Sequence, residues 1–317
     1  MRKRMDLEWS YKRLSWKVRR YMAVHLKMPV NGKSYYGKRI LSLEETNQKL
    51  EELILSGGPF AAGRIGGTEL KAMVGGQPQN KSLKKKEEAR SLLICLSGFF
   101  GGMDEFDRFV KLMQDSLQSM DMIGVWYNQM EDYMLKHYGK EDLILGRLEG
   151  LEPWYCPKEP WTRCLKGKKV VCIHPFEESI LEQYKKRERL FQGSDILPEF
   201  ELRCVKAVQT LYGQEDERFP SWFDALDYMF EETMKEPFDI ALIACGAYGL
   251  PLAARLRDAG KQAVHVGGAL QLLFGIRGAR WDNFAALQPF YNDAWCYPLA
   301  SEHLKTDSKG VENGCYW

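Results

Sequence analysis

The stretch PFDIALIACGAYGLPLAARLRDAGKQAVHVGG, residues 237–268, contains a strand, a helix and a second strand in close succession. Residues 237–246 include a continuous apolar run of the kind that forms a buried strand, and residues 261–268 include another. The segment between them, residues 250–260, is typical of a helix that ends at Gly260. Two apolar strands joined by a helix run parallel in one sheet, so this stretch predicts an α/β domain.

The same alternation of strand and helix recurs over most of the chain. Apolar runs predict further strands at residues 59–65, 121–126, 168–176 and 201–209. Helical patterns occupy residues 43–55, 68–74, 86–118 with a break near Gly101 and Gly102, the segment up to Tyr138, 178–191, 220–236 and 269–276. Because the strands are apolar throughout, both faces of the sheet must be covered, which predicts a Rossmann-like, mostly parallel sheet with helices on both faces. Residues 31–317 are expected to form this single α/β domain.

Residues 1–30 are expected to form a separate basic amphipathic helix, ended by Pro29 and Asn31. Apolar residues recur in it at spacings of three and four, namely Tyr11, Leu14, Val18 and Met22. Residues 1–26 carry eight Lys or Arg against two acids, a charge of +6 within a net charge of +2. This pattern suits contact with an anionic membrane surface, and it equally suits a helix packed on the core with a charged outer face.

The bulk composition describes a globular protein of 317 residues with 45% hydrophobic and 28% charged residues. The net charge of +2 gives no indication of nucleic-acid binding. The eight cysteines include no CxxC pair, which favours reduced thiols. No apolar segment has the length of a signal peptide core or a transmembrane helix. We therefore expect a cytoplasmic protein, with the inner face of the membrane as the place of any contact through residues 1–26.

The carboxyl ends of the predicted strands are where an α/β sheet places its ligands, and the first of them reads GRIGGTEL, residues 63–70. Arg64 suits a phosphate, and Gly66 and Gly67 permit a tight turn into a helix whose first amides can face an anion. Glu69 is a candidate metal ligand or proton acceptor. The alternative is a plain turn, with Glu69 favouring the helix N-terminus.

Two further strand ends carry candidate residues. IHPFEESI, residues 173–180, places His174 directly after a strand, as a catalytic candidate or a core histidine. CGAYGLPLAARL, residues 245–256, offers a glycine turn at Gly246 and Gly249 and the Tyr248 ring, which suits stacking on a base. The spacing of these glycines is not the GxGxxG of dinucleotide-binding proteins, so an NAD-dependent reductase is a weaker alternative.

The last strand end reads HVGGALQLLFGIRGARW, residues 265–281. It contains Gly267 and Gly268 and then Arg277, Arg280 and Trp281. Two arginines beside a glycine suit a diphosphate, and a tryptophan can stack on a base or sugar. The alternative is a surface arginine pair beside a half-buried tryptophan. The chain has no GxSxG, P-loop, HExxH or kinase motif.

Several of these segments resemble one known family. RIGGTEL, residues 64–70, resembles the R-[FI]-G-D-G-E segment of bacterial glycosyltransferases of the GT-D fold. Residues 245–281 resemble the closing segment of the polysaccharide-biosynthesis proteins of that group, and residues 173–184 and 197–210 resemble its middle. The resemblance covers about residues 40–285.

The resemblance implies a nucleotide-sugar donor such as a UDP-sugar, a glycan acceptor on a lipid carrier, and a D-x-E acid pair for Mg²⁺ or Mn²⁺. The second acid falls on Glu69, whereas the first falls on Gly67, which has no ligand atom. A metal then binds weakly through Glu69 and the diphosphate, or Arg64, Arg277 and Arg280 replace it. Two functions therefore stay open: a glycosyltransferase, and a non-catalytic module that binds a nucleotide sugar or a partner enzyme in a polysaccharide-assembly complex.

Overall fold

A computed structural model describes residues 2–27, 32–214 and 216–303. A short antiparallel pair, β1 (Ser34–Tyr35) and β2 (Lys38–Arg39), precedes the main sheet. The seven strands of the main sheet are β3 (Phe60–Gly63), β4 (Met122–Val125), β5 (Ile144–Arg147), β6 (Lys169–His174), β7 (Glu201–Lys206), β8 (Ile240–Ile243) and β9 (Gln262–His265). They lie in the order β5-β4-β3-β9-β8-β6-β7, and every pair is parallel. The predicted α/β fold with a parallel sheet is confirmed.

The helices are α1 (Arg2–Leu26), α2 (Leu43–Leu55), α3 (Gly67–Gly75), α4 (Leu83–Ser97), α5 (Met103–Ser116), α6 (Glu131–Tyr138), α7 (Glu177–Tyr184), α8 (Arg187–Leu190), α9 (Trp222–Met234), α10 (Gly249–Asp258) and α11 (Leu270–Leu273). Helix α2 begins with a capping box, in which the Ser42 hydroxyl accepts from the Glu45 amide and the Glu45 carboxylate accepts from the Ser42 amide. Helix α10 ends where the sequence predicts, because Gly260 follows it at φ +81°.

The sheet is buried on both faces, since neighbouring residues of one strand belong to different apolar clusters. Ala241 and Ile243 of β8 lie in the cluster that contains residues of α3, α5 and α10. Ile240 and Leu242 lie in the cluster on the opposite face, which contains residues of α2, α7 and α11. This arrangement explains why the strands are apolar at every position instead of alternating with polar residues.

The structure departs from the sequence-based prediction in three elements. Strand β5 and the pair β1–β2 were not predicted, because the strands of the pair have two residues each and the apolar run at β5, residues 143–145, stops at Gly146. The helix predicted over residues 178–191 is divided into α7 and α8, with a break at Lys185 and Lys186.

Helix α1 matches the predicted helix, but its packed face is not the predicted apolar stripe. Trp9 is buried, and its ring meets that of Tyr133 edge-on at 5.1 Å between centroids. Tyr11, Leu14 and Val18 instead face solvent. Pro29 and Asn31, expected to end the helix, lie outside the described residues, so the domain boundary near residue 30 stays a prediction. None of the described helices combines the length and apolar character needed to cross a bilayer.

Candidate functional site

A cavity of about 460 Å³ lies at the carboxyl ends of the central strands. Residues that directly follow β3, β4, β6, β7, β8 and β9 line it, and the end of α4 covers one side with residues 96–98. The sheet order explains this location, because the chain builds β4 and β5 to one side of β3 and the other strands to the opposite side. An open α/β sheet forms a crevice at such a reversal of strand order.

Most of the residues singled out in the sequence meet at this cavity. Those that line it are Arg64, Gly66, Gly67, Glu69, His174, Gly246, Tyr248, Gly267, Gly268 and Arg280. They come from four separate segments, which the parallel sheet brings to one rim. The charged side chains on the lining are Arg64, Lys71 and Arg280 against the single carboxylate of Glu69, so the cavity is suited to an anion.

Arg64 is the cation most closely built into the cavity wall. Its guanidinium lies over the Trp126 ring, 4.7 Å from the ring centroid. On another side it lies against Gly267, whose φ of +73° and missing side chain leave it room; a Cβ there would lie 2.5 Å from Arg64 Nε. Arg64 makes no close ion pair and no hydrogen bond with any residue in the described part of the chain, but its charge acts on the Glu152 carboxyl, since burial raises the pKa of Glu152 to about 7 and Arg64 opposes that rise. Its donors therefore remain available for an anionic ligand.

Glu69 lies in the first turn of α3, whose N-cap, Gly66, provides no side chain to cap the helix. The carboxylate is folded back over Gly66 and is only 8% exposed. The Thr68 hydroxyl lies 3.3 Å from Glu69 Oε2 and 2.6 Å from the Ser97 hydroxyl. One wall thus combines a buried carboxylate with the open N-terminus of a nine-residue helix.

The described residues do not form a metal site of their own. They contain no cluster of three or more His, Cys, Asp or Glu side chains able to hold a metal ion. Gly67 lines the cavity at the first helical position, and a Cβ there would have only Asn128 Nδ2 nearby, at 4.0 Å. The position therefore has space for a side chain, but it contributes no ligand.

The two histidines of the cavity are both neutral. Burial lowers the pKa of His174 to about 3, and burial followed by the nearby charge of Arg64 lowers the pKa of His265 to about 3. His174 Nδ1 accepts from the Phe176 amide at 2.9 Å, so the ring proton is on Nε2. His265 Nδ1 lies 3.3 Å from the Ile243 carbonyl, to which it must donate, so Nε2 keeps its lone pair. His174 can therefore donate a hydrogen bond from Nε2, whereas His265 can accept one at Nε2.

A buried carboxylate outside the cavity holds the loop that carries Trp126. Glu131 accepts hydrogen bonds from the amides of Trp126 and Asn128 and from the Tyr35 hydroxyl. Burial raises the pKa of Glu131 to about 7, although these donors oppose the shift. The loop also has positive φ at Tyr127 and Met130. Glu131 is therefore a positioning residue for the Trp126–Arg64 contact.

Two of the expected contacts in the turn after β8 are wrong. The Tyr248 ring is fully buried and stacked on Trp222 at 4.4 Å with an interplanar angle of 7°, so it cannot stack on a base. Gly249 does not line the cavity; it gives room to the His265 ring, since a Cβ there would lie 2.1 Å from His265 Cε1.

Two residues of the final segment also do not reach the cavity. Arg277 is paired with Asp282 at 3.0 Å and lies over the rings of Tyr291 and Tyr297. Trp281 is buried in the apolar cluster beside α11. Of the predicted trio, only Arg280 lines the cavity.

Several lining residues were missed in the sequence. They include Thr68, Lys71, Ser97, Trp126, Gln209, Thr210, His265 and Gln271. The strand-end rule could have found Trp126, Gln209 and His265, because each stands at or just after the end of a predicted strand. Ser97 gave no local signal, since it reaches the cavity only because α4 ends against Gly246, where a Cβ would lie 2.6 Å from the Ser97 carbonyl oxygen.

Comparison with known proteins adds a distant structural likeness. No known family profile and no curated protein matches the sequence. The chain is similar to a solved structure described as the highly conserved domain of unknown function 1792 with a distinct glycosyltransferase fold, at 12% identity and a TM-score of 0.43, over 83% of this chain and 92% of that chain. A selenomethionine-substituted structure of that domain matches at 12% identity and a TM-score of 0.42.

Proposed function

We propose that the protein is a glycosyltransferase whose cavity binds a nucleotide-sugar donor. The observation that carries this proposal is the guanidinium of Arg64, which forms no close ion pair among the described residues and faces the same cavity as the uncapped N-terminus of α3. A guanidinium and a row of free amides are the groups that recognise a diphosphate. A volume of about 460 Å³ is in the range of small-molecule sites, and the partly exposed Trp126 ring offers an apolar wall for a base or sugar.

The leaving group explains why cations are needed at this wall. As the glycosidic bond breaks, negative charge grows on the nucleoside diphosphate, and fixed positive groups near it lower the barrier. Arg64, Arg280 and the first amides of α3 supply that charge. The described lining provides only one carboxylate. Donor binding is therefore expected without Mg²⁺ or Mn²⁺.

The acceptor hydroxyl needs a proton acceptor if the reaction inverts the anomeric centre. Glu69 is the first candidate because its carboxylate is buried at the cavity wall and has a single hydroxyl partner among the described residues. The acceptor itself, by the resemblance of the sequence, is a glycan on a lipid carrier in bacterial polysaccharide biosynthesis.

A thermal-shift screen tests the donor class directly. UDP, other nucleoside diphosphates and their sugars are expected to raise the unfolding temperature at millimolar concentration, to the same extent with EDTA as with Mg²⁺ or Mn²⁺. NADH serves as a negative control of similar charge and size. If no nucleotide or nucleotide sugar protects the protein, the proposal is wrong.

The open position at Gly67 allows a gain-of-function prediction. Gly67→Asp places a second carboxylate at the start of α3, where the helix dipole favours it and no atom obstructs its Cβ. We expect the variant to bind UDP more weakly in EDTA but roughly tenfold more tightly in Mn²⁺, because two carboxylates and a diphosphate can share the ion. Titration calorimetry measures both conditions, with Gly67→Asn as the uncharged control. Equal Mn²⁺ dependence in both variants would show that the added carboxylate does not reach the diphosphate.

The absence of a carboxylate at Gly67 also favours a second candidate, a module that binds the nucleotide sugar without turnover. Sugar release from the bound donor separates the two functions. For the transferase, Glu69→Gln is expected to keep UDP binding and to lose turnover with the acceptor. For the module, wild-type protein binds the donor without turnover, and Glu69→Gln leaves cellular glycan output unchanged.

A further inference from the structure

Helix α1 is attached to the domain by one face only. Trp9 packs against Tyr133 of α6, and Glu8 forms an ion pair with Lys136 at 2.6 Å. Lys12 is paired with Asp132 on the same helix. These contacts fix the rotation of α1 about its axis, so they also determine which side chains point away from the domain.

The side chains that point away are apolar and exposed. Leu7, Tyr11, Leu14, Val18 and Tyr21 follow each other at spacings of four and three, which places them in one stripe along the helix. Their exposed fractions lie between 50% and 73%. Single exposed apolar residues are ordinary, but a continuous stripe opposite the packed face is typical of a surface that has a partner.

Basic residues flank this stripe. At 100° per residue, Lys17 lies beside it on one edge, and Arg13 and Arg19 lie farther round the helix on either side, about 80° beyond the edges of the stripe. None of the three forms an ion pair within residues 2–27, 32–214 and 216–303. Arg20 adds a further cation over the Trp16 ring, 5.3 Å from its centroid. The outer half of the helix is therefore apolar, with a cation at one edge and further positive charge on the sides of the helix.

We propose that this outer face of α1 docks on an anionic lipid surface. The apolar stripe enters the boundary between headgroups and acyl chains, and the flanking cations meet lipid phosphates. Tyr11 and Tyr21 suit that boundary because their rings are apolar and their hydroxyls are polar. The helix lies in the plane of the membrane, since its opposite face stays on α6.

The charges also argue against a second copy of the chain as the occupant. Two such helices would bring Lys17 of both chains to the edge of one interface and Arg13 and Arg19 of both chains close to it. The acids on the same helix are Asp6 and Glu8, and Glu8 already pairs with Lys136. Like charges would thus meet along most of the interface, whereas an anionic surface neutralises them.

Vesicle sedimentation of the full-length protein tests this proposal independently of any sugar chemistry. The probes are vesicles of phosphatidylcholine alone and of phosphatidylcholine with phosphatidylglycerol. We expect binding to the anionic vesicles only, weakened by salt. The double variants Leu14→Ser/Val18→Ser and Lys17→Glu/Arg19→Glu are each expected to reduce that binding roughly tenfold or more. Leu83→Ser and Lys84→Glu on α4, also exposed, are matched controls that should leave it unchanged.

Two outcomes overturn the proposal. The first is binding to anionic vesicles that the α1 variants do not reduce, or no binding at all, with circular dichroism showing that every variant is folded. The second is a concentration-dependent dimer in analytical ultracentrifugation that Leu14→Ser/Val18→Ser abolishes, because a second copy then covers the stripe.

Discussion

Replacement of Arg64 by alanine is expected to weaken UDP binding about 100-fold, because the cavity then loses the cation that is built into its wall. The guanidinium is held by the Trp126 ring and by the space above Gly267, so little ordering is needed when a diphosphate binds. Lysine at this position keeps the charge but loses the planar fork, and Arg64→Lys should fall between wild type and alanine. Titration calorimetry gives the three affinities.

Arg39→Ala is the matched control for this prediction. Arg39 is an exposed arginine whose ion pair with Glu45 is on the surface, so its removal should change stability by less than about 1 kcal/mol and leave UDP binding unchanged. If Arg64→Ala and the control both bind UDP with wild-type affinity, the diphosphate does not bind at the wall between β3 and β9.

The second large effect is expected at Gly267. Alanine there must adopt a φ of +73°, and its Cβ would lie 2.5 Å from Arg64 Nε. The backbone strain and the displacement of Arg64 together should lower the free energy of unfolding by roughly 3 kcal/mol. UDP binding should fall as well, since the guanidinium leaves its place over Trp126. Urea unfolding measures the first effect and calorimetry the second.

Gly260 provides the control that separates strain from collision. Its φ is +81°, and a Cβ there would meet no atom within 4 Å. Gly260→Ala should therefore lower the free energy of unfolding by only about 1 kcal/mol, which is the cost of the backbone strain alone. In addition, Arg64→Ala/Gly267→Ala should be more stable than Gly267→Ala, because the colliding side chain is gone. A Gly267→Ala variant no less stable than Gly260→Ala would mean that Arg64 does not lie against Gly267.

The fold could be predicted wherever a pattern extends over a whole element. The β8–α10–β9 unit is an example, since its apolar runs and Gly260 are local signals. Strand β5 could not be predicted in this way, because its apolar run covers only residues 143–145 and stops at Gly146. A Cβ on Gly146 would lie 2.6 Å from Thr46, so that glycine is explained by a contact with α2, about a hundred residues away in the chain.

The candidate site was predicted in outline for a similar reason. Parallel strands bring their carboxyl ends to one rim, so glycines and polar residues that follow strands collect there. Which of them face the cavity depends on partners that no local pattern reveals. Arg277 is paired with Asp282, the Tyr248 ring is stacked on Trp222, and Gly249 lies against the ring of His265.

The sequence by itself determined the alternation of buried strands and helices, the positive charge of the N-terminal helix and the set of strand ends from which a site can be built. These properties depend on residues close together in the chain. Over that distance the apolar period selects helix or strand, and glycine permits a turn. Only the tertiary structure decided that Arg64 has no close ion pair among the described residues, that His174 is a donor and that α1 turns its apolar stripe outward. Each of these depends on contacts between segments far apart in the chain. Packing decides which partner a side chain meets, and therefore which of its hydrogen-bonding atoms stay available.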